Sequence, residues 1–517
     1  MGNKKEFSSV FRSGIIVAFF TLISRLFGLA REFFIAYNFG TTEIADCVNI
    51  AFRFPNLFRR IFGEGALSSV FVPIFSKKLL ISHQEAKKFG GNVVGLLVIV
   101  LIIMTLLIEI FMPQLMILLI PGFYSNTLKF NLAVDLCRIT TPYLIFLSMV
   151  AIFGGMLNSI GKFWALAFSP VIMSTTVIIF TFYFEQFGTA HYSIAYSLVL
   201  AGILQILFMF VCLKRANLTF YPTINTHDTS VIKLLRKLGP AVLSSGTQQL
   251  SLFISQSLAS FLPGAISILN YADRLYQLPM ALIGVTFGTI LLPALSRLYK
   301  SKNYYQINIL QNTAIKIALF ISIPASFGLY AMSEPIIHLI YERGEFARSD
   351  SLITAQVLSV FAFGLPAFTL SKIFTPVFYA NLDTKTPLRI SIYSLLINTG
   401  LNILLMQPFG TIGIAAGFTL SSWFNLWLLE RGTHKFGTFI IDKDTKIFIV
   451  KTIIISVIML LFIEIMKFYL ADVFFSGRIF IKILSILGVI FTAVIIFVIL
   501  SFFLRLDRVI YEYKTSK

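Results

Sequence analysis

Apolar residues in this chain run in blocks long enough to cross a bilayer, and polar residues gather in short turns between the blocks. A membrane-spanning helix needs about 20 mostly apolar residues. On that criterion the chain divides into about fourteen segments: near 14–36, 42–75, 89–112, 131–159, 163–184, 190–213, 235–260, 265–296, 308–332, 351–379, 386–407, 411–433, 447–470 and 478–504. The second and eighth are long and sparsely polar, so they count as spans only as kinked helices whose charges face inward. The pattern predicts an all-α polytopic membrane protein.

Basic residues fall in every second loop. Lys77, Lys78, Lys87 and Lys88 follow the second segment, Lys214, Arg215, Lys233, Arg236 and Lys237 the sixth, and Arg297, Lys300 and Lys302 the eighth. The alternate loops are short or nearly neutral, apart from the mixed-charge run Glu342 to Asp350. This asymmetry puts the basic loops and both termini on the cytoplasmic side. A period of about 220 residues relates Asn49-Ile50-Ala51-Phe52-Arg53 to Asn270-Tyr271-Ala272-Asp273-Arg274, and Phe71-Val72-Pro73 to Leu291-Leu292-Pro293. Both pairs lie in the second helix of their half, which points to two six-helix lobes of like orientation, 1–217 and 218–436, followed by two extra helices over 437–517.

Composition narrows the class further. The chain is 57% hydrophobic and 13% charged, which no soluble class matches. Its formal net charge of +19 reads as loop lysine and arginine on one membrane face, not as a nucleic-acid surface. Cys47, Cys137 and Cys212 are isolated and lack metal-site or disulfide spacing, so they read as small packing residues. The scattered histidines form no zinc motif, and no phosphate-binding loop stands in a strand-to-helix context, so neither a metalloenzyme nor an ATP-driven pump is indicated. The N-terminal segment, interrupted by Arg25, reads as an uncleaved first span.

Charges inside the apolar segments carry the candidate chemistry. Asp46, Arg53 and Arg60 repeat every seven positions and Glu64 follows four later, so on one helix they line a single stripe, with a possible kink at Pro55. Arg59 sits off the stripe, Arg25 and Arg31 lie in the preceding segment, and Asp273 and Arg274 lie in the eighth. A charge at bilayer depth costs about 2.5–3.5 kcal/mol on insertion scales, so several cations imply a shared polar cavity holding an anion. Structural pairing and snorkelling are the plainer alternatives, and one of Arg59 and Arg60 fits the latter. Arg25, Arg53 and Arg274 outnumber the acids near them, and arginine's planar fork suits a phosphate-bearing substrate. Gly28, Gly63 and Gly65 read as close-packing positions between helices, and the Glu342 to Phe346 run as a solvated loop.

Ser24-Arg25, Gly28, Ala30-Arg31, Phe39-Gly40, Asp46, Pro55-Asn56-Leu57, Arg59-Arg60, Glu64-Gly65-Ala66 and Phe71-Val72-Pro73 together resemble the N-terminal signature of the MurJ (MviN) lipid II flippases. Tyr271-Ala272-Asp273-Arg274, Arg343-Gly344-Glu345-Phe346 and Thr386-Pro387 are similar to later motifs of that family, across nearly the whole chain. The resemblance implies a MOP-superfamily transporter of the bacterial inner membrane. Such a protein carries undecaprenyl-diphosphate-linked lipid II to the periplasmic leaflet by alternating access for cell wall synthesis. It implies that Arg25, Arg31, Arg59 and Arg274, with Asp46 and Glu64, line the cavity and bind the diphosphate, and that the last two helices hold the lipid tail. It also implies a monomer without a cofactor, cycling coupled to membrane potential, and the cell wall synthesis machinery as candidate partner. Where some members use an aspartate for sodium, this chain has Gln256, which puts a sodium site in doubt. A flippase for another polyprenyl-diphosphate glycan is the nearest rival. A membrane enzyme acting on polyprenyl phosphates is the rival of another class, and it lacks the sizeable interfacial loop that would carry catalytic groups.

Overall fold

The computed structural model describes residues 2–58, 68–183, 189–225, 228–234, 236, 253–437 and 440–506. Helices dominate throughout, and among the described residues no strand occurs. The chain divides into two compact units, Met1–Ser267 and Ile268–Lys517.

Unit 1 begins with α1 (Gly2–Phe39) and α2 (Glu43–Phe58), which carries Pro55 inside it. After α3 (Ser68–Ile81), the turn at Ser82 starts α4 (His83–Ile110), with the Ser82 hydroxyl accepting from the Glu85 amide at 3.0 Å. Then come α5 (Met112–Leu119), α6 (Thr127–Thr140), α7 (Tyr143–Ser159), α8 (Trp164–Phe182) and α9 (Ala190–Arg215). The core of the unit gathers Phe71, Phe75 and Phe89, stacked with ring centroids 5.3 and 5.6 Å apart, under Met156 and Leu213. Cys47, Cys137 and Cys212 are buried free thiols, as small packing residues would be.

Unit 2 takes most of α10 (Ala265–Lys300), then α11 (Tyr304–Ile340), α12 (Arg348–Ala362) and α13 (Leu365–Ala380). The 49 residues of α14 (Lys385–Thr433) would reach about 74 Å if straight, more than twice a bilayer core. They do not run straight. Gly410 takes φ 55° and ψ −132°, and Asn425 donates to Ser394 Oγ at 2.9 Å, so the chain folds back as an antiparallel helical pair. A Cβ at Gly413 would stand 2.0 Å from the Leu405 carbonyl, so glycine is what lets the two arms meet so close to the turn. This break falls between the predicted segments 386–407 and 411–433. The C-terminal helices α15 (Lys443–Tyr469), α16 (Ala471–Ser476) and α17 (Ile479–Phe503) join α11 in one buried apolar cluster through Phe448, Ile455, Met459, Phe474, Val489 and Phe497.

Nine segments among the described residues are long and apolar enough to cross a membrane. The remaining predicted spans correspond to α1, α2 with α3, α10, and the second arm of α14, while most of 235–260 lies outside the described residues. Two expectations change. A Cβ on Gly28 would meet nothing within 4 Å, so this glycine faces open space and is not a close-packing contact. The Glu342 to Phe346 run is no plain solvated loop: Phe346 is 1% exposed and packs with Tyr271 and Tyr341, each at 5.7 Å, because its aromatic ring closes a corner that the run's charges alone would leave wet. Gly63 and Gly65 lie outside the described residues.

Candidate functional site

The charged positions of unit 1 come from α1, α2 and α6. On α1, Arg31 and Glu32 are both buried, 4% and 2% exposed. Arg31 Nη2 stands 2.5 Å from Glu32 Oε1, and the guanidinium lies 5.2 Å from the centre of the Phe52 ring on α2. Neighbours on a helix point about 100° apart, so a one-residue pair forms only where long side chains turn back to the same pocket. Burial supplies the reason, because a lone charge in that setting would cost several kcal/mol. Glu32 is a site residue that stripe reading missed, and its signal was its position directly after Arg31.

Asp46 forms the second buried centre. It is fully buried, and its Oδ2 lies 3.1 Å from Lys129 Nζ on α6. Oδ2 also accepts from the Gly264 amide at 3.0 Å, and Oδ1 accepts from the Ser267 amide and hydroxyl at 3.0 and 2.9 Å. Asn49, one turn along α2, donates to the same Ser267 hydroxyl at 3.1 Å. Gly264 has φ +71°, and a Cβ there would stand 2.4 Å from the Thr41 carbonyl, so only glycine presents its amide to Asp46 in this turn. Lys129 is 6% exposed and lies 4.0 Å over the Phe123 ring. It too was missed, since the apolar segment counted as the fourth span begins just after it.

Arg25 and Arg53 are half-buried in unit 1. Arg53 shares a pocket with Gln256, Ile50, Phe54 and Phe253 whose free volume, about 10 Å³, admits about one water centre. Thus Asp46 and Arg53, seven residues apart, both turn into the unit, whereas Arg59, Arg60 and Glu64, the rest of the proposed stripe, lie outside the described residues. A larger cavity of about 110 Å³ lies beside Tyr143, Ser169, Met173 and Gln205. The Tyr143 hydroxyl donates to Gln205 Oε1 at 3.0 Å there, and Arg31 Nη1 reaches Met173 Sδ at 3.9 Å. In unit 2, Asp273 and Arg274 are half-buried on α10, and Gln277 donates to Asp273 Oδ2 at 2.6 Å.

Chemically, unit 1 holds buried guanidinium and ammonium groups against carboxylates: Arg31 against Glu32, and Lys129 against Asp46 at 3.1 Å with the more exposed Glu43 at 3.9 Å. Such groups can bind an anion by exchanging partners.

Comparison with known proteins places the chain among its relatives. The family described as Lipid II flippase MurJ matches residues 35–502. A protein of Rickettsia prowazekii (strain Madrid E) named "Probable lipid II flippase MurJ" is 52% identical over 480 residues, covering 93% of this chain and 94% of that one. A Rhizobium tropici protein of the same name is 38% identical, covering 81% and 79% of the two chains. Among solved structures, one titled "Lipid II flippase MurJ, inward closed conformation" matches with TM-score 0.78 at 30% identity, over 95% of this chain and 99% of that one. An inward-facing MATE family multidrug transporter of the MOP superfamily matches with TM-score 0.68 at 16% identity, over 82% and 97%, a likeness of fold alone.

Proposed function

The chain belongs to the lipid II flippase MurJ family, and we propose that it carries lipid II, a polyprenyl-diphosphate glycolipid, from the cytoplasmic to the periplasmic leaflet of a bacterial inner membrane by alternating access. It is a multi-pass membrane transporter and not an enzyme. The observation that carries the substrate reading is Arg31, a guanidinium 4% exposed inside an apolar helix and held by the acid next to it. Arginine keeps its charge at any physiological pH, so the pair with Glu32 stores a cation that a diphosphate can take over by two parallel hydrogen bonds.

In this reading Arg25, Arg31, Arg53 and Arg274, with Arg59 and Arg60, receive the diphosphate, and Asp46, Glu64 and Asp273 exchange ion pairs with them between conformations. Asp46 with its amide and lysine partners supports a holding role, because every one of those bonds must break together before α2 can move. The basic loops support cytoplasmic termini. Moving net charge across the membrane is worth about 2.3 kcal/mol per charge per 100 mV, which supports drive by the membrane potential. The neutral amide of Gln256 supports cycling without sodium, and the chain acts as a monomer without a cofactor, alongside the cell wall synthesis machinery.

The test is depletion of the protein in its own cell, followed by an assay of lipid II accessible from the periplasmic face. Accumulation of the precursor with lost outer access is expected, and Arg25→Ala or Arg274→Ala variants that insert normally should fail to restore it. Unchanged access would reassign the substrate to another polyprenyl-diphosphate-linked glycan.

A further inference from the structure

One end of unit 2 gathers the termini of several helices, at the opposite end of α11 from the basic run Arg297 to Lys302. There α11 ends at Ile340, α12 begins at Arg348, α15 ends at Tyr469, and α16 leads into the first turn of α17. His338, on the last turn of α11, has a side chain only 11% exposed. Its Nε2 lies 2.8 Å from Lys482 Nζ on α17. Its Nδ1 lies 2.8 Å from Glu342 Oε2, a close charge contact whose angle is not that of a hydrogen bond. The imidazole packs edge-on against the Phe475 ring of α16 at 5.1 Å, and Lys482 donates to the Phe475 carbonyl at 2.7 Å.

The charges around the ring come from every neighbouring element. Glu334 lies on α11 itself, and Glu342 and Arg343 lie just beyond it. Arg348 on α12 bonds Glu334, reaches Glu342 at 3.2 Å and stands 4.8 Å over the Phe475 ring. Arg343 is turned back onto the Leu339 carbonyl at 2.9 Å. From α15, Lys467 donates to the Ala331 carbonyl at 3.3 Å and pairs with Glu464 at 3.5 Å.

Two nitrogens 2.8 Å apart share a hydrogen bond only if one of them keeps a lone pair. An alkylammonium holds its proton more tightly than an imidazolium does. The lone pair therefore belongs to His338 Nε2, Lys482 stays cationic, and the single imidazole proton sits on Nδ1, on the Glu342 side. A neutral His338 thus joins a cation on α17 to an anion at the end of α11. A second proton, placed on Nε2, would point at the ammonium and turn that bond into repulsion, while the attraction to Glu342 would only strengthen.

We propose that His338 is a proton-binding site that clasps α16 and α17 to the end of α11, closed when the imidazole is neutral and released when it is protonated. Proton uptake by the imidazole is the trigger, so acid on this face of the membrane opens the clasp. The proposal does not depend on which lipid-linked glycan is carried.

Hydrogen exchange read by mass spectrometry on the purified full chain tests it, with rates at pH 8 and pH 5.5 corrected for the intrinsic pH dependence of amide exchange. Residues 470–484 should exchange ~10-fold faster at pH 5.5 in the unaltered protein. His338→Gln, whose amide can accept from Lys482 and donate to Glu342 without titrating, should remain slow at both pH values. Equal corrected rates in the unaltered protein would overturn the proposal, as would a pH response that survives in His338→Gln. If that variant does not fold, ¹⁵N-histidine spectra of the unaltered protein decide the matter: an Nδ1–H tautomer at pH 8 is required, and an Nε2–H tautomer overturns the clasp.

Discussion

Unit 1 and unit 2 treat charge in opposite ways. Unit 1 shuts its tightest pairs away from water, Arg31 with Glu32 and Asp46 with Lys129, whose side chains are at most 5% exposed, and leaves Lys78 with Glu85 at its surface. Unit 2 spreads its ion pairs over helix ends, where Arg348 is 44% exposed against Glu334 and Lys435 is 42% exposed against Asp383. The difference teaches where electrostatics carries energy. In the interior a broken pair leaves an unpaid desolvation cost of about 3–5 kcal/mol, whereas water replaces most of what is lost at an exposed end, leaving about 0–1 kcal/mol.

The sharpest way to break this contrast is Lys129→Met. It should cost about 3–5 kcal/mol of stability because Asp46 is left buried without its cation, and combining it with Asp46→Asn should recover much of the loss. Thermal unfolding in detergent, compared across the single and double variants, measures both; additive losses would mean that the pair is not coupled. A smaller effect is expected for Gly264→Ala, about 1–3 kcal/mol from the left-handed backbone alone, since the turn that offers its amide to Asp46 must also move off Thr41. The same unfolding assay reads it, and a change below about 0.5 kcal/mol would show that the turn relaxes freely.

The smallest effect belongs to unit 2. Partial burial alone would raise the Asp383 carboxyl, but hydrogen bonds from Lys435 and Thr386 outweigh it and hold the group down to about 2. A folded value below the ordinary one means that this contribution is complete above about pH 4 and is lost as pH falls toward 2. Lys435→Met should weaken that acid dependence, leaving the part held by Thr386, and cost less than about 1 kcal/mol at neutral pH, which unfolding midpoints measured from pH 5 to pH 2 would check.

The inverse reading of the internal repeat belongs to the same comparison. Asn49 and Asn270 occupy matching places, yet position 46 holds an aspartate where the other half, 221 residues on, holds Ser267. The hydroxyl and amide of that serine are what the aspartate accepts from. Sequence similarity reveals the duplication and not this contact, because matching segments need not touch.

The spans among the described residues, the break between the two arms of α14 and the presence of cations in the first two helices were legible in the chain itself. Hydropathy is a local property: a run of apolar side chains must leave water whatever it packs against, and a polar turn must stay near it. The partner of each charge was decided only by the tertiary structure. Lys129 finds Asp46 across 83 residues because α6 packs on α2, and Glu32 turns back to Arg31 because both are shut away from water. His338 likewise looked solitary in sequence, and it meets Lys482, 144 residues later, only where α17 comes to the end of α11. A buried charge demands a counter-charge, but which side chain answers is a matter of distance in space, and the order of residues does not record it.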